Sequence, residues 1–358
     1  MSTKGLILSG GSGTRLRPIT FTGAKQLVPI ANKPILFYGI ESMVNAGIKD
    51  IGIVVGAQTA SEVMEAVGDG SNFGASVTFI YQEQPLGLAH CVQIAESFIG
   101  DSDFVMYLGD NMLQKTIWEF CGNIYLYDSP VSAAIMVKEV DNPESFGVVE
   151  LDSRNKPVRL VEKPKHPQSN LAMVGVYYFT SEIFEAVNSI SPSARGELEI
   201  TDAIQWLIDA GKNVECTLLD GWWIDTGKKD QLLECNRLVL DTIERQIQDN
   251  PLSSNFTADG RVQIGNAIIE NSRIIGPASI ADGAMIKDSY IGPYTSVGPM
   301  CVIENSEVQN SVLLEGGMVI DIPRLSDSLV GKNAIVRTSR SKPEATKLMI
   351  SDSSIVEV

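Results

Sequence analysis

Histidine is scarce in this chain of 358 residues, occurring only as His90 and His166. Neither lies in a pattern such as HExxH, so imidazole triads and histidine-rich metal sites have little foundation, and both are expected to be ordinary surface or core residues. Cysteine is sparse as well: Cys91, Cys121, Cys216, Cys235 and Cys301 include no CxxC pair. That argues against a disulfide framework or a zinc knuckle and in favour of a reducing cytoplasm. No run approaches the roughly 20 apolar residues of a membrane span. The apolar stretch between Met1 and Leu8 is too short for a signal-peptide core. Basic charge is short too, with 28 Lys and Arg against 44 Asp and Glu and a net charge of -16. Long-range repulsion then disfavours a nucleic-acid backbone or an anionic membrane as partner. An anionic substrate must meet a local basic pocket.

The remaining composition, 44% hydrophobic and 20% charged, is that of a soluble globular chain, and the length predicts two domains, 1–250 and 251–358. In the first, KGLIL at 4–8 reads as a buried strand running into the glycine-rich loop Gly10 to Pro18. Pro34 opens a helix that Gly47 closes. The alternation continues with strands at 51–55, 77–81 and 104–108 and helices near 59–67 and 87–98. This predicts a doubly wound, mostly parallel α/β sheet of Rossmann-like form, with ligands at the carboxyl ends of its strands. Around 131–180 short strands follow one another and predict an antiparallel insertion lying over that sheet. Helices at 199–210 and 228–248 close the domain.

From Val262 the pattern becomes a six-residue period: Val262, Ile268, Ile274, Ile280 and Ile286, then, after one shortened step, Ile291, Val297 and Ile303. Such spacing predicts a left-handed parallel β-helix, each six residues forming one side of a triangular coil. Its flat outer faces suit packing against a neighbouring subunit or the first domain, and a homo-oligomer is expected.

The loop GGSGTRLRP satisfies neither a dinucleotide fingerprint, since Leu16 stands where glycine or alanine is needed, nor a Walker loop, since Gly13 is followed by Thr14 and Arg15. Its glycine backbone can still point N–H groups at phosphate oxygens, and Arg15 adds a bidentate donor. Followed by Lys25-Gln26-Leu27-Val28-Pro29 and Asn32-Lys33-Pro34, this loop resembles the opening signature of the sugar nucleotidyltransferase family, nearest to its long-form thymidylyltransferases with a C-terminal β-helix. The resemblance implies direct displacement at the α-phosphorus of a nucleoside triphosphate by a sugar 1-phosphate, with dTTP (or UTP), glucose 1-phosphate and Mg2+.

It further implies that Leu8, Gly10, Gly11, Gly13 and Thr14 line the nucleotide, while Arg15 and Lys25 stabilise charge on the leaving pyrophosphate. Asp110 and Asp225 would hold magnesium, Asp110 also touching the nucleotide. Gln82 and Gly87 would hold the base. Gly147, Glu162, Lys163, Val174 and Arg195 would hold the sugar phosphate, with Phe146 standing where a tyrosine is expected. Electrostatics agree, because nucleotidyl transfer rests on positioning and on cations aimed at phosphate oxygens. A relative of the same architecture that uses UTP, ATP or a sugar other than glucose fits these residues equally. A silent sugar-nucleotide-binding regulator fits less well, because Arg15, Lys25, Asp110, Lys163 and Asp225 are all present. Acyl transfer by the coils lacks its usual base, since residues 250–358 hold no histidine.

Overall fold

A computed structural model describes residues 3–11, 16–17, 19, 23–115, 117–124 and 129–338. Contacts divide the chain into two compact units, one containing Gly23–Val28 and Ile35–Asp225 with the opening strand, the other Pro29–Pro34 and the chain from Thr226 onward.

In chain order the strands are β1 (Lys4–Ser9), β2 (Pro29–Ile30), β3 (Lys33–Pro34), β4 (Asp50–Gly56), β5 (Ser76–Gln82), β6 (Phe104–Leu108), β7 (Asn111–Leu113), β8 (Ala133–Glu139), β9 (Gly147–Leu151), β10 (Pro157–Glu162), β11 (Leu171–Phe179), β12 (Val214–Leu218) and β13 (Trp223–Asp225). The helices are α1 (Ile35–Asn45), α2 (Ala60–Val67), α3 (Leu88–Ile94), α4 (Glu96–Ile99), α5 (Trp118–Ile124), α6 (Ile183–Ser189), α7 (Ile200–Asp209) and α8 (Lys229–Leu240). In the first unit a nine-stranded sheet runs β10-β9-β11-β6-β1-β4-β5, with β8 joining β11 and β12. It is parallel over β6-β1-β4-β5 and mixed beyond. Side chains alternate across a strand, so Leu6 and Leu8 enter one core with α3, α6 and α7, while Ile7 enters the other with α1, α2 and α5. The sheet is thus wound on both faces.

The strands at 131–180 do not lie over the sheet as expected; they extend it. β11 hydrogen-bonds antiparallel to β6 on one side and β8 on the other. Its sequence agrees with this: LAMVGVYYF is buried at nearly every position, and an unbroken apolar run suits a strand within a sheet that is covered on both faces.

In the second unit three parallel sheets stack rung on rung, as the left-handed β-helix requires. The inward columns are Ile264-Ile280-Val297-Leu313-Val330, Ile269-Ile286-Ile303-Val319-Val336 and Ile274-Ile291-Val308-Leu325. Successive rungs lie 16 or 17 residues apart, so a shortened step recurs on each coil. Two places differ from the six-residue count: Ile264 rather than Val262 stands in the column of Ile280, and Ile269 is buried with Ile268 only partly so, alternating with buried Ala267. Corners are turned by residues with positive φ such as Asn271, Asp288, Asn305 and Asp321, types that tolerate the left-handed conformation. The corner amides form ladders, with Asn305 Nδ2 donating to Asp321 Oδ1 at 2.7 Å.

The helix expected at 228–248 ends at Leu240, since Gln246–Ile247 pairs with Gln263 and Ile264 to begin the first coil. Strand pairing there outweighs helical propensity. Within this unit α8 docks by Leu233 against Val312 and Leu314. Buried Asn236 joins the parts: its Oδ1 accepts from Ala31 N and Ser296 Oγ, and its Nδ2 donates to the Tyr294 carbonyl.

Candidate active site

Because β1, β4, β5 and β6 are parallel neighbours, their carboxyl ends gather along one edge of the sheet. β1 runs into Gly10 and Gly11, β5 ends in Gln82, and β6 runs into Gly109-Asp110. Gly109 N donates to the Leu8 carbonyl at 2.9 Å, which ties the end of β1 to the turn bearing Asp110. Asp225 arrives by a second pairing: β13 runs antiparallel to β7 and sets Asp225 opposite Asn111.

Lys25 completes the group. It stands in a single turn of 3-10 helix, Lys25–Leu27, and is only 5% exposed. Its Nζ lies 2.5 Å from Asp110 Oδ2 and 3.6 Å from Asp225 Oδ1. Burial by itself would raise the Asp110 carboxyl, but the Lys25 ammonium and the hydrogen bonds from Lys25 and Asn111 outweigh it and hold the group below the usual carboxylate range. Two carboxylates thus converge on one cation. Among the described residues no group of three or more His, Cys, Asp or Glu forms a metal cage. A pair of hard oxygen donors nevertheless suits magnesium, which keeps several waters and shares its shell with phosphates.

Asn111, directly after Asp110 and without a role in the family resemblance, orients that aspartate. Its Nδ2 donates to Asp110 Oδ1 at 2.9 Å, and its Oδ1 accepts from Trp223 Nε1 at 2.6 Å and Gly175 N at 3.3 Å. One buried amide therefore touches β6's aspartate, β13 and β11. Its signal was its place directly after Asp110, but nothing in the sequence indicates where its amide points.

At the neighbouring strand ends Gly10 is needed for space: a Cβ there would lie 2.8 Å from Gln82 Oε1. Gly56 is crowded likewise, its Cβ position 2.9 Å from the Gly10 carbonyl. Gly11 faces Gln26, whose Nε2 is 3.5 Å from the Cβ position. Gln26 is 2% exposed and its Oε1 has no hydrogen-bond partner among the described residues, so a buried acceptor lies close to Gly11. It lies in the Lys25–Pro29 run, whose sequence does not indicate where this amide points. Gly87 has φ 108°, and a Cβ there would lie 2.4 Å from the Leu198 carbonyl. The close approach that requires glycine is thus made by the chain's own backbone.

Four of the five residues expected to hold the sugar phosphate, Gly147, Glu162, Lys163 and Arg195, also come together, whereas the Val174 side chain packs in the core with α1 and α2. Glu162 and Gly147 are register partners of β10 and β9, and Lys163 Nζ and Arg195 Nη2 lie 3.2 and 3.4 Å from Glu162 Oε1. Arg195 is heavily engaged, donating to Glu199 from both Nε and Nη2 and to Glu197 from Nη2. The Glu199 hydrogen bond chiefly raises its already high pKa. Lys163 has fewer such partners. Val174 is fully buried and falls where β11 shifts register against β8, between Met173 and Tyr177. Burial first, then the carboxylates of Glu162 and Asp110, push the phenol of buried Tyr177 upward. Gly13, Thr14 and Arg15 lie outside the described residues.

A family model described as nucleotidyl transferase matches residues 4–242. The chain is similar to the glucose-1-phosphate thymidylyltransferase of Streptomyces griseus, 48% identical with 99% of each chain covered. It is 49% identical to that of Streptomyces antibioticus, with 99% of each chain covered again. A solved structure from Bacillus anthracis, assigned as a glucose-1-phosphate thymidylyltransferase and complexed with sucrose, matches with a TM-score of 0.63 at 34% identity, covering 68% of this chain and 98% of that one.

Proposed function

This chain belongs to the nucleotidyl transferase family, and on that premise we infer that it transfers a thymidylyl group from dTTP to glucose 1-phosphate, yielding dTDP-glucose and pyrophosphate. The observation that carries the reading is the convergence of Lys25, Asp110 and Asp225 at the strand ends, in a chain alike end to end with glucose-1-phosphate thymidylyltransferases. In the reaction a phosphate oxygen of the sugar attacks the α-phosphorus, a P–O bond forms, and the bond to pyrophosphate breaks. The protein's task is alignment and charge.

Lys25, with Arg15, would meet the negative charge that grows on the leaving pyrophosphate. Gly10 and Gly11, with Gly13, Thr14 and Leu8, would line the nucleotide, and Gln82 and Gly87 its base. Lys163 would take the sugar phosphate, Arg195 and Gly147 would complete its pocket with Val174, and Glu162 would accept from sugar hydroxyls. Members of the family use a divalent metal. Asp110 and Asp225 would hold it here as magnesium, which would withdraw charge from the phosphate oxygens.

In this reading catalysis resides in 1–250, and the coils of 251–358 serve homo-oligomer assembly. Support for assembly comes from one outer column of the β-helix, Ile268-Met285-Val302-Met318-Ile335, where Met285 is 47% and Ile335 59% exposed. No described helix is long and apolar enough to cross a membrane, and five free thiols fit a reducing cytoplasm.

The direct test is pyrophosphate release over a grid of nucleoside triphosphates and sugar 1-phosphates. Highest kcat/KM is expected for dTTP with glucose 1-phosphate. Preference for UTP or ATP would replace the substrate assignment, and no release from any pair would overturn the enzyme reading.

A further inference from the structure

Gln82, at the end of β5, is 6% exposed, and its amide nitrogen has two neighbours to hold it. Cys91 on α3 places its Sγ 3.5 Å from the Gly87 carbonyl. A carbonyl can only accept, so the thiol proton is spent there and the sulfur is left as an acceptor. Gln82 Nε2 lies 3.1 Å from that sulfur. The same nitrogen lies 3.0 Å from His90 Nδ1, and because an amide nitrogen only donates, His90 presents a bare Nδ1 and carries its proton on Nε2. At the other end Oε1 occupies the space left by the missing side chain of Gly10. Burial keeps both neighbours in these states at neutral pH, lowering the His90 pKa and pushing the Cys91 thiol up to about 12.

With both Nε2 hydrogens taken, the amide has only an acceptor left to offer a ligand. An acceptor matches a ring N–H, which thymine and uracil carry at N3. Cytosine has a lone pair at that position, and pairing it would require the amide to turn over and give up both anchoring bonds. We propose that His90 and Cys91 are positioning residues that hold Gln82 as an acceptor-only reader of the base, and thereby set the preference for thymine or uracil over cytosine. The inference rests on the reading of Gln82 as the base contact.

Steady-state kinetics of the full chain with glucose 1-phosphate and dTTP, dUTP or dCTP test it, because dUTP and dCTP differ only along the N3–C4 edge of the base. In His90→Leu or Cys91→Ala one of the two anchoring bonds is gone and the amide turns at lower cost, so discrimination between dUTP and dCTP should fall about tenfold, through KM and mostly by a gain for dCTP. His90→Asn, whose Oδ1 stands where Nδ1 was, should recover discrimination relative to His90→Leu. Gln82→Ala should abolish it. His90 is only half-buried and tolerates substitution, so the His90 pair decides the matter even if Cys91→Ala folds poorly. Unchanged discrimination in His90→Leu beside its loss in Gln82→Ala overturns the positioning role alone. Wild-type discrimination in Gln82→Ala overturns the base-contact reading and this inference with it.

Discussion

Replacing Lys25 with methionine keeps most of the side-chain volume and deletes the charge between Asp110 and Asp225. At an effective dielectric of about 20, the separations of 2.5 and 3.6 Å correspond to gross attractions of roughly 7 and 5 kcal/mol. Much of this is offset by desolvation of the ammonium, and the two carboxylates, 27% and 25% exposed, can partly rehydrate once it is gone. The net loss should therefore be about 2–4 kcal/mol, at or below the range for breaking a wholly buried pair. All four tryptophans, Trp118, Trp206, Trp222 and Trp223, lie in the unit that holds the site, so urea unfolding followed by tryptophan fluorescence, with chelator present, reads it selectively. The pH dependence has a definite sign. Asp110 titrates below its unfolded value, so its contribution is present above about pH 4 and lost as pH falls through the folded pKa. The gap between wild type and variant should narrow over that range. Added magnesium should restore part of the variant's stability at pH 7, since it supplies the missing cation. Equal urea midpoints at pH 7 would refute the argument, as would a gap that stays constant down to pH 3.5.

Asp225→Asn should lower kcat by two or more orders of magnitude, about 3 kcal/mol of barrier, and a near-normal rate at saturating magnesium would remove Asp225 from the metal site. Lys163→Ala should raise the KM for glucose 1-phosphate with a smaller change in kcat; an unchanged KM would take Lys163 out of the sugar site. Gly87→Ala meets both a strained φ and the Leu198 carbonyl, so it should destabilise the fold by about 2 kcal/mol or more, measured by thermal unfolding. The double change Met285→Glu with Ile335→Glu should reduce assembly size in light scattering while leaving kcat intact. The full-size oligomer persisting in that variant would count against the outer column as the interface.

The chemistry-bearing residues were legible because they sit in short runs. Lys25 precedes Gln26-Leu27-Val28-Pro29, Asp110 follows an apolar strand and a glycine, and Asp225 lies in GWWIDTG. The coils were legible from period alone, since an inward residue on every side forces an aliphatic at a near-constant spacing. Asn111 and Gln26 were not, because an amide's role depends on which way it points, and direction is set by neighbours far away in sequence. Asn111 reaches Trp223 across 112 positions.

By itself, then, the amino-acid sequence determined the alternation of strands and helices, the strand-end placement of Asp110 and the glycine loop, and the repeat of the β-helix, all of which depend on local patterns of burial and turn chemistry. Tertiary structure alone decided that β11 extends the sheet, that α8 stops at Leu240, and that Ile269 faces inward, because each depends on which backbone lies alongside to accept its hydrogen bonds or cover its face. It also decided that Arg195 is engaged by Glu199 and Glu197 while Lys25 lies between two aspartates. Charges of the same sign were placed in different surroundings, and only the folded chain brings the carboxylates near enough to make them differ.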